Sequence, residues 1–164
     1  MNDAEYMDRV TGMERKLYRI AHAILWNDHD CCDAVQEAVL KGWLKRGSLR
    51  EEGYFDTWLV RILINECRNI QRSHRLRLLP LDEGIRSTVD DGNLLESLQL
   101  REALRNLPEK YRMALLLHHM EGYSLEETAE ILRITRGLAA SRLSQARKAL
   151  RKLLETGDEE HDRI

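Results

Sequence analysis

The amino-acid sequence predicts an all-α protein built as two small helical domains joined by a flexible linker, the second containing a helix-turn-helix. Three observations carry this expectation. Apolar residues recur at three- and four-residue steps in two long blocks, the spacing that gathers them on one face of a helix. No segment alternates apolar and polar residues with a period of two between turn residues, as a half-buried strand would. Between the blocks, Leu79–Leu94 (LPLDEGIRSTVDDGNL) carries a proline, two glycines and four acidic residues and no stripe at all. The expected boundaries are 1–78 for the first domain, 79–94 for the linker, 95–155 for the second domain and 156–164 for a disordered acidic tail.

The first block opens with Leu17, Ile20, Ala21, Ile24 and Leu25, a stripe at i, i+3, i+4, i+7 and i+8. Val35, Val39 and Trp43 continue at four-residue steps on a second helix, whose start Asp30 or Asp33 could cap. The stretch Ser48–Tyr54 contains Gly53, breaks the pattern and reads as a loop. Leu59, Ile62, Leu63, Cys67 and Ile70 then define a third helix.

In the second block, Leu100, Leu104 and Leu107 form one stripe, and Pro108 suits the first turn of the next helix, where a missing N–H costs nothing. Met113–Leu117 is dense in apolar residues and reads as the buried middle of that helix, which Gly122 ends. Ser124 followed by Glu127 is a capping box, so a helix begins there and sends Leu125, Ala129 and Leu132 inward. A short turn near Ile134 leads to a last helix with Leu143, Ala146, Leu150 and Leu153 on one face.

Composition narrows the function classes. The 164 residues are 33% charged and 43% hydrophobic with only two prolines, which suits a soluble helical chain. No apolar run reaches the ~18 residues that would cross a bilayer, so no membrane insertion is expected. The start MNDAEYMDRV lacks the basic and apolar regions of a secretory signal. The three cysteines, Cys31, Cys32 and Cys67, are therefore expected as reduced thiols in the cytoplasm, and their spacing offers no zinc site. No glycine-rich phosphate loop, zinc-protease motif or nucleophile elbow is present, and neither an enzyme nor a cofactor is expected. His118 and His119 are adjacent and would point about 100° apart on a helix. Glu126, Glu127 and Glu130 read as helix-start charge on a solvated face.

Charge distribution points to nucleic acid. The formal net charge is −2, yet Arg133, Arg136, Arg142, Arg147, Lys148, Arg151 and Lys152 fall in one span without an acidic residue. Two helices joined by a tight turn, the second one basic, describe a helix-turn-helix that neutralises phosphates while lying in the major groove. A second basic run, Arg68, Arg72, Arg75 and Arg77 around His74, follows Tyr54, Phe55 and Trp58. Aromatic rings beside cations can stack unpaired bases, although burial is the competing reading for Phe55 and above all for Trp58.

The motifs fall in a recognisable order. D-C-C-D-A-V-Q-E at Asp30–Glu37, Trp43, and T-W-L-V-R-I-L-I-N at Thr57–Asn65 occupy the first block. L-P-E-K-Y-R at Leu107–Arg112, E-G-Y-S-L-E-E-T-A-E-I-L at Glu121–Leu132 and S-R-L-S-Q-A-R at Ser141–Arg147 occupy the second. Over nearly its full length the chain resembles the extracytoplasmic-function sigma factors of bacterial RNA polymerase. The resemblance implies that Asp33, Gln36, Glu37 and Lys41, with Trp43 nearby, dock core polymerase. It implies that the loop before Phe55 receives a base flipped from the minus-ten strand, with Arg61, Asn65 and Arg68 contacting DNA beside it. Tyr54, Phe55, Trp58 and Arg72 complete the expected minus-ten set. Arg136, Ser141, Arg142, Gln145 and Lys148 would face the minus-thirty-five element of promoter DNA. The linker is similar to those that thread along the RNA exit path, and an anti-sigma factor is an implied partner.

The sequence departs from the family where bases should be read. Arg133 stands where a turn glycine is common, and Gly137-Leu138-Ala139-Ala140-Ser141-Arg142 stands for Gly-Thr-Val-Lys-Ser-Arg. Loss of a hydroxyl and a lysine at a helix N-terminus takes away expected phosphate contacts, so minus-thirty-five recognition is expected to be weak, altered, or dependent on Arg136 and Arg133 as substitutes. Two alternatives remain open: a sigma mimic that sequesters an anti-sigma factor, and a stand-alone helix-turn-helix regulator.

Overall fold

The first helix, α1 (Asp3–Leu25), begins where Asn2 and Glu5 cap each other: the Asn2 side chain accepts from the Glu5 N–H, and the Glu5 carboxylate accepts from the Asn2 N–H, both at 2.9 Å. It ends at Trp26, whose left-handed backbone (φ 58°) turns the chain directly into Asn27, the cap of α2 (Asp28–Lys45). Asn27 accepts from the Asp30 N–H at 3.0 Å, so neither Asp30 nor Asp33 is the cap. Their carboxylates face histidines instead, Asp30 with His74 at 2.8 Å and Asp33 with His29 at 3.3 Å. Two single-turn 3-10 segments, Arg46–Ser48 and Glu52–Tyr54, lead into α3 (Phe55–Arg77). This computed structural model describes the backbone of residues 1–77 and 94–161 and the side chains of residues 1–77 and 98–157. Residues 79–93 of the expected linker and 162–164 of the expected tail lie outside them.

The chain divides into two compact units, Met1–Arg86 and Ser87–Ile164. In the first, α1, α2 and α3 pack against one another around Tyr6, Leu17, Ile20, Phe55, Leu59 and Leu63. The α1 stripe is buried as expected and extends toward the N-terminus through Tyr6, Val10 and Met13. The face that α2 buries is not the expected one. Cys31, Ala34, Ala38 and Gly42 turn inward, while Val35 and Val39 are half-buried and Trp43 sits at the edge. Small side chains win because α2 is gripped by two neighbours and backbone must approach backbone. At Gly42 a Cβ would collide with the Tyr6 hydroxyl and touch Leu59 at 3.0 Å. That hydroxyl donates to the Val39 carbonyl at 2.6 Å, and burial pushes its pKa up to about 12. Burial likewise pushes the Cys31 thiol up to about 12, which keeps it protonated and unreactive.

Lys41 ties α2 to α3. Its ammonium donates to the nearly buried Glu66 carboxylate at 2.7 Å and lies 3.6 Å from Glu37. The Glu66 hydrogen bond holds the ammonium above the usual lysine range. The ion pair is therefore complete at neutral pH and lost only as pH climbs past that raised value.

The second unit contains α4 (Leu94–Asn106), α5 (Glu109–Leu115), a π-helical turn (Leu116–Met120), α6 (Leu125–Leu132) and α7 (Arg136–His161). Pro108 is the cap residue before α5 rather than its first helical residue. Of the expected α4 stripe, Leu107 is buried but Leu104 is half-buried and Leu100 exposed; Ala103 supplies the inward contact instead. Arg112 is buried and donates to the carbonyls of Leu104 and Leu107 at 3.2 and 2.8 Å, closing the open end of α4 onto α5. The π turn, marked by Glu121 N–H to Leu116 at 2.9 Å, widens the last turn before Gly122, whose φ of +77° reverses the chain. His118 Nδ1 lies 2.8 Å from the Tyr123 carbonyl, which can only accept, so that nitrogen carries the proton. The Ser124–Glu127 capping box forms as expected. Ala139, Leu143 and Ala146 bury one face of α7, and Leu150 and Leu153 are half-buried. The helix continues to His161, past the boundary at which composition predicts disorder, because extending an established helix needs only one more hydrogen bond per residue. Among the described residues there is no strand, and no helix is long and apolar enough to cross a membrane.

Two stability predictions follow from the α2 seam. Gly42→Ala lowers stability by about 1–3 kcal/mol, the cost of overpacking a filled core, and combining it with Tyr6→Phe restores part of the loss in urea denaturation. In a double-mutant cycle, Lys41→Met and Glu66→Gln together cost about 1 kcal/mol less than the sum of the single changes. Additive effects there would disprove the clamp.

Candidate nucleic-acid and polymerase interfaces

Each helix that buries one face leaves the opposite face to solvent, and three such faces carry the candidate residues. On α3 the buried residues Leu59, Leu63 and Cys67 lie opposite Trp58, Arg61, Asn65, Arg68 and Arg72. The latter are spaced i, i+3, i+7, i+10 and i+14, so they form one ridge. Asn65, Arg68 and Arg72 are exposed; Trp58 and Arg61 are half-buried at its N-terminal end. Arg72 holds the Asn69 side chain beside it. Cations at these steps, on a face with no acidic member, suit a phosphate backbone running along the helix.

The two aromatic residues at the head of α3 part company. Tyr54 is 54% exposed, whereas Phe55 is 1% exposed. Phe55 packs edge-on against Tyr6 (5.7 Å between centroids) with the Arg9 guanidinium 5.4 Å above its ring. Phe55 is thus a core residue of the free chain, a placement that argues against the direct minus-ten contact expected of it. It positions Trp58, whose ring lies 5.9 Å away, and the loop before it. The same Arg9 anchors that loop, donating to the Glu52 carbonyl at 2.8 Å and pairing with its carboxylate at 3.1 Å. Arg9 was not legible as a site residue, since nothing in its local sequence links it to a loop 43 positions away.

On α2 the outward residues Asp33, Gln36 and Glu37 are exposed on one face. The same face carries Leu40 and Leu44, 50% and 65% exposed, which the sequence reading missed. Their spacing from Asp33, seven and eleven residues, was the available signal. Beside this face, between α1 and α2, runs a groove of about 550 Å3 lined by Met7, Val10, Val39, Leu40 and Trp43 among others. Trp43 sits at its rim, donating from Nε1 to Asp3 at 3.2 Å under the Arg46 guanidinium, 4.6 Å from the ring centre. Lys41, expected on this surface, is committed mainly to Glu66 and acts as a brace for it.

On α7, Ser141, Gln145 and Lys148 share one exposed face and half-buried Arg142 flanks it, while Leu143 and Ala146 turn inward; Arg136, five positions before Ser141, falls on a different side of the helix. The turn before it is built from two residues. Arg133 ends α6 in the left-handed region at φ 56°, a conformation that costs a non-glycine residue about 1 kcal/mol. Thr135 caps α7, its hydroxyl accepting from the Leu138 N–H at 3.1 Å. Arg136 leans back across the turn onto Glu126 at 2.8 Å, an exposed pair. His119 is held below its ordinary pKa by partial burial, with His118 and Arg147 adding to the effect. Among the described residues, one group could meet a cation, His29, Asp30 and Asp33, and these are already paired, Asp33 with His29 and Asp30 with His74.

Comparison with known proteins assigns both parts of the chain to known families. The Sigma-70 region 2 family matches residues 10–77, which hold the α2 and α3 faces, and the Sigma-70, region 4 family matches residues 97–150, which hold the helix-turn-helix. The ECF RNA polymerase sigma factor SigM of Mycobacterium tuberculosis is 30% identical, with 85% of this chain and 72% of that protein aligned. SigW of Bacillus subtilis is 31% identical over 91% of this chain and 88% of its own length. The structure of the sigma factor RpoE in complex with the anti-sigma factor NepR from Bartonella quintana superposes with a TM-score of 0.76 at 25% identity, covering 92% of this chain and 97% of RpoE. The two family matches, on successive parts of the chain, and these relatives of 30–31% identity place the chain among the extracytoplasmic-function RNA polymerase sigma factors of the sigma-70 family.

Proposed function

We propose that the chain captures core RNA polymerase through the outer face of α2 and directs it to promoter DNA, with α3 at the minus-ten element and α7 at the minus-thirty-five element. The observation that carries this reading is the segregation of chemistry by face. Asp33, Gln36 and Glu37 alternate with exposed Leu40 and Leu44 on α2, a mixture of charge and apolar surface suited to a protein partner. The ridges of α3 and α7 are cationic and polar and suit phosphates and base edges. In this reading residues 1–78 form the polymerase and minus-ten domain, 79–94 the linker and 95–155 the minus-thirty-five domain. Tyr54 and Trp58 flank the pocket for an unstacked base, while Arg61, Asn65, Arg68 and Arg72 hold the strand. Arg136, Ser141, Arg142, Gln145 and Lys148 meet the upstream duplex. The protein acts by binding and not by chemistry of its own, in the cytoplasm where polymerase and chromosome meet. An anti-sigma factor restrains it, as the RpoE–NepR complex suggests.

Three measurements test this. Charge reversal at Asp33 and Glu37 leaves the helical content intact and abolishes retention of core polymerase; unchanged retention would remove α2 from the interface. Run-off transcription with core polymerase separates an initiation factor from a mimic, which gives none. Arg133→Gly has opposite effects on its two roles: stability rises by about 1 kcal/mol as the left-handed strain is relieved, while promoter affinity falls and the slope of log affinity against log salt becomes shallower by about one. An unchanged salt slope would show that Arg133 touches no phosphate.

A further inference from the structure

The face of α7 that carries Ser141, Arg142 and Gln145 begins with a residue of different chemistry. Leu138 lies three, four and seven positions before them, so it heads the same ridge, and it is 43% exposed. Its N–H is tied to the Thr135 hydroxyl, which fixes the first turn of the helix and with it the direction of the leucine. Its neighbour Gly137 has no side chain, and a Cβ there would meet nothing within 4 Å, so backbone and leucine can approach a partner without obstruction.

The first turn of a recognition helix is the part that meets base edges. In the major groove nearly every feature of a base edge is a hydrogen-bond donor or acceptor; the C5 methyl group of thymine is the apolar exception. A leucine pressed against donors and acceptors strips them of water and returns no hydrogen bond. Pressed against a methyl group it buries apolar area on both sides. Resting on the assignment of α7 to the upstream element, we propose that Leu138 is a specificity-determining residue that selects a thymine in that element through its C5 methyl group. Ser141, Arg142 and Gln145 then supply the polar contacts along the same face, and Leu138 sets the base pair at the end of the site nearest the helix N-terminus.

The test uses the full chain assembled with core polymerase and a promoter selected by that holoenzyme from duplexes randomised across the upstream element. Each thymine of the element is replaced in turn by deoxyuridine, which lacks only the methyl group. One replacement should weaken holoenzyme binding about fourfold, equivalent to the ~0.8 kcal/mol of a single buried methyl group. In Leu138→Ala, an exposed substitution that favours helix, the thymine-to-uracil ratio at that position should fall to about one. A uracil scan without a sensitive position, or a sensitivity that persists in Leu138→Ala, overturns the proposal. Scrambling the whole element separates this failure from a broader one. If scrambling weakens binding while the uracil scan is silent, only the role of Leu138 is lost; if scrambling changes nothing, the assignment of α7 itself is wrong.

Discussion

The close packing of α2 between α1 and α3 is the constraint on which the first unit depends. Cys31, Ala34, Ala38 and Gly42 form an inward seam with little side-chain volume, and the space they leave is filled from outside by Tyr6, Leu59 and their neighbours. A seam this narrow has a functional consequence. Because α2 buries small residues, its larger apolar side chains are displaced to the flanks and the outer face, where Leu40, Leu44 and Trp43 join Asp33, Gln36 and Glu37. Isolated exposed leucines would be unremarkable, but apolar side chains clustered beside a groove and rimmed by polar groups suit a protein interface. The same packing fixes the rotation of α3, since Leu59 can meet the seam only if Arg61, Asn65, Arg68 and Arg72 turn away from it. One steric requirement thus orients both the acidic-apolar face and the cationic ridge.

The second unit solves a different problem, that of holding a short turn between two helices whose relative angle must be fixed. Buried Arg112 satisfies the terminal carbonyls of α4, and the π turn and Gly122 redirect the chain after α5. Serine and threonine then cap α6 and α7 in succession, with Arg133 between them in the left-handed region. Glycine would hold that turn with less strain. Retaining a long cation at a strained position is readily explained if the cation has work at the DNA surface, since strain tends to persist where function demands it.

The helices and most of their inward residues were legible in the sequence because periodicity reports burial directly. The stripes Leu17–Leu25, Leu59–Cys67 and Leu143–Ala146, and the Ser124–Glu127 box, all appear where spacing put them. What failed had a common cause. Hydrophobicity marked Val35, Val39 and Leu100 as core, but alanine, glycine and cysteine can be buried just as deeply where helices approach closely, and a hydrophobic pattern weights them too lightly. Asp30 and Asp33 matched a capping pattern, yet Asn27 stands where the backbone leaves the left-handed turn at Trp26. Phe55 shows the limit for the site. Its position beside a basic helix is visible in the sequence, while its burial under Tyr6 and Arg9 depends on contacts more than forty positions apart. The cationic ridges needed no tertiary information, because residues three and four apart on one helix share a face whatever the helix packs against.

Electrostatics then explains why a nearly neutral chain can serve as a DNA-directing factor. Its net charge is −2, but the sign is sorted by surface: carboxylates on α2, cations on α3 and α7. Neither cationic ridge is large, and in the free chain part of the charge is already engaged, Arg136 by Glu126 across the helix-turn-helix. Exposed pairs of this kind are weak and exchange readily for phosphate, yet each exchange subtracts from the affinity of a single unit for duplex. Modest affinity at each ridge is an advantage when both are carried by one polymerase. If the α2 face docks the polymerase as proposed, the second DNA contact becomes intramolecular, and two weak sites on one assembly bind a promoter far better than either alone. On the proposed assignment of the three faces, strong binding is therefore conditional on the polymerase.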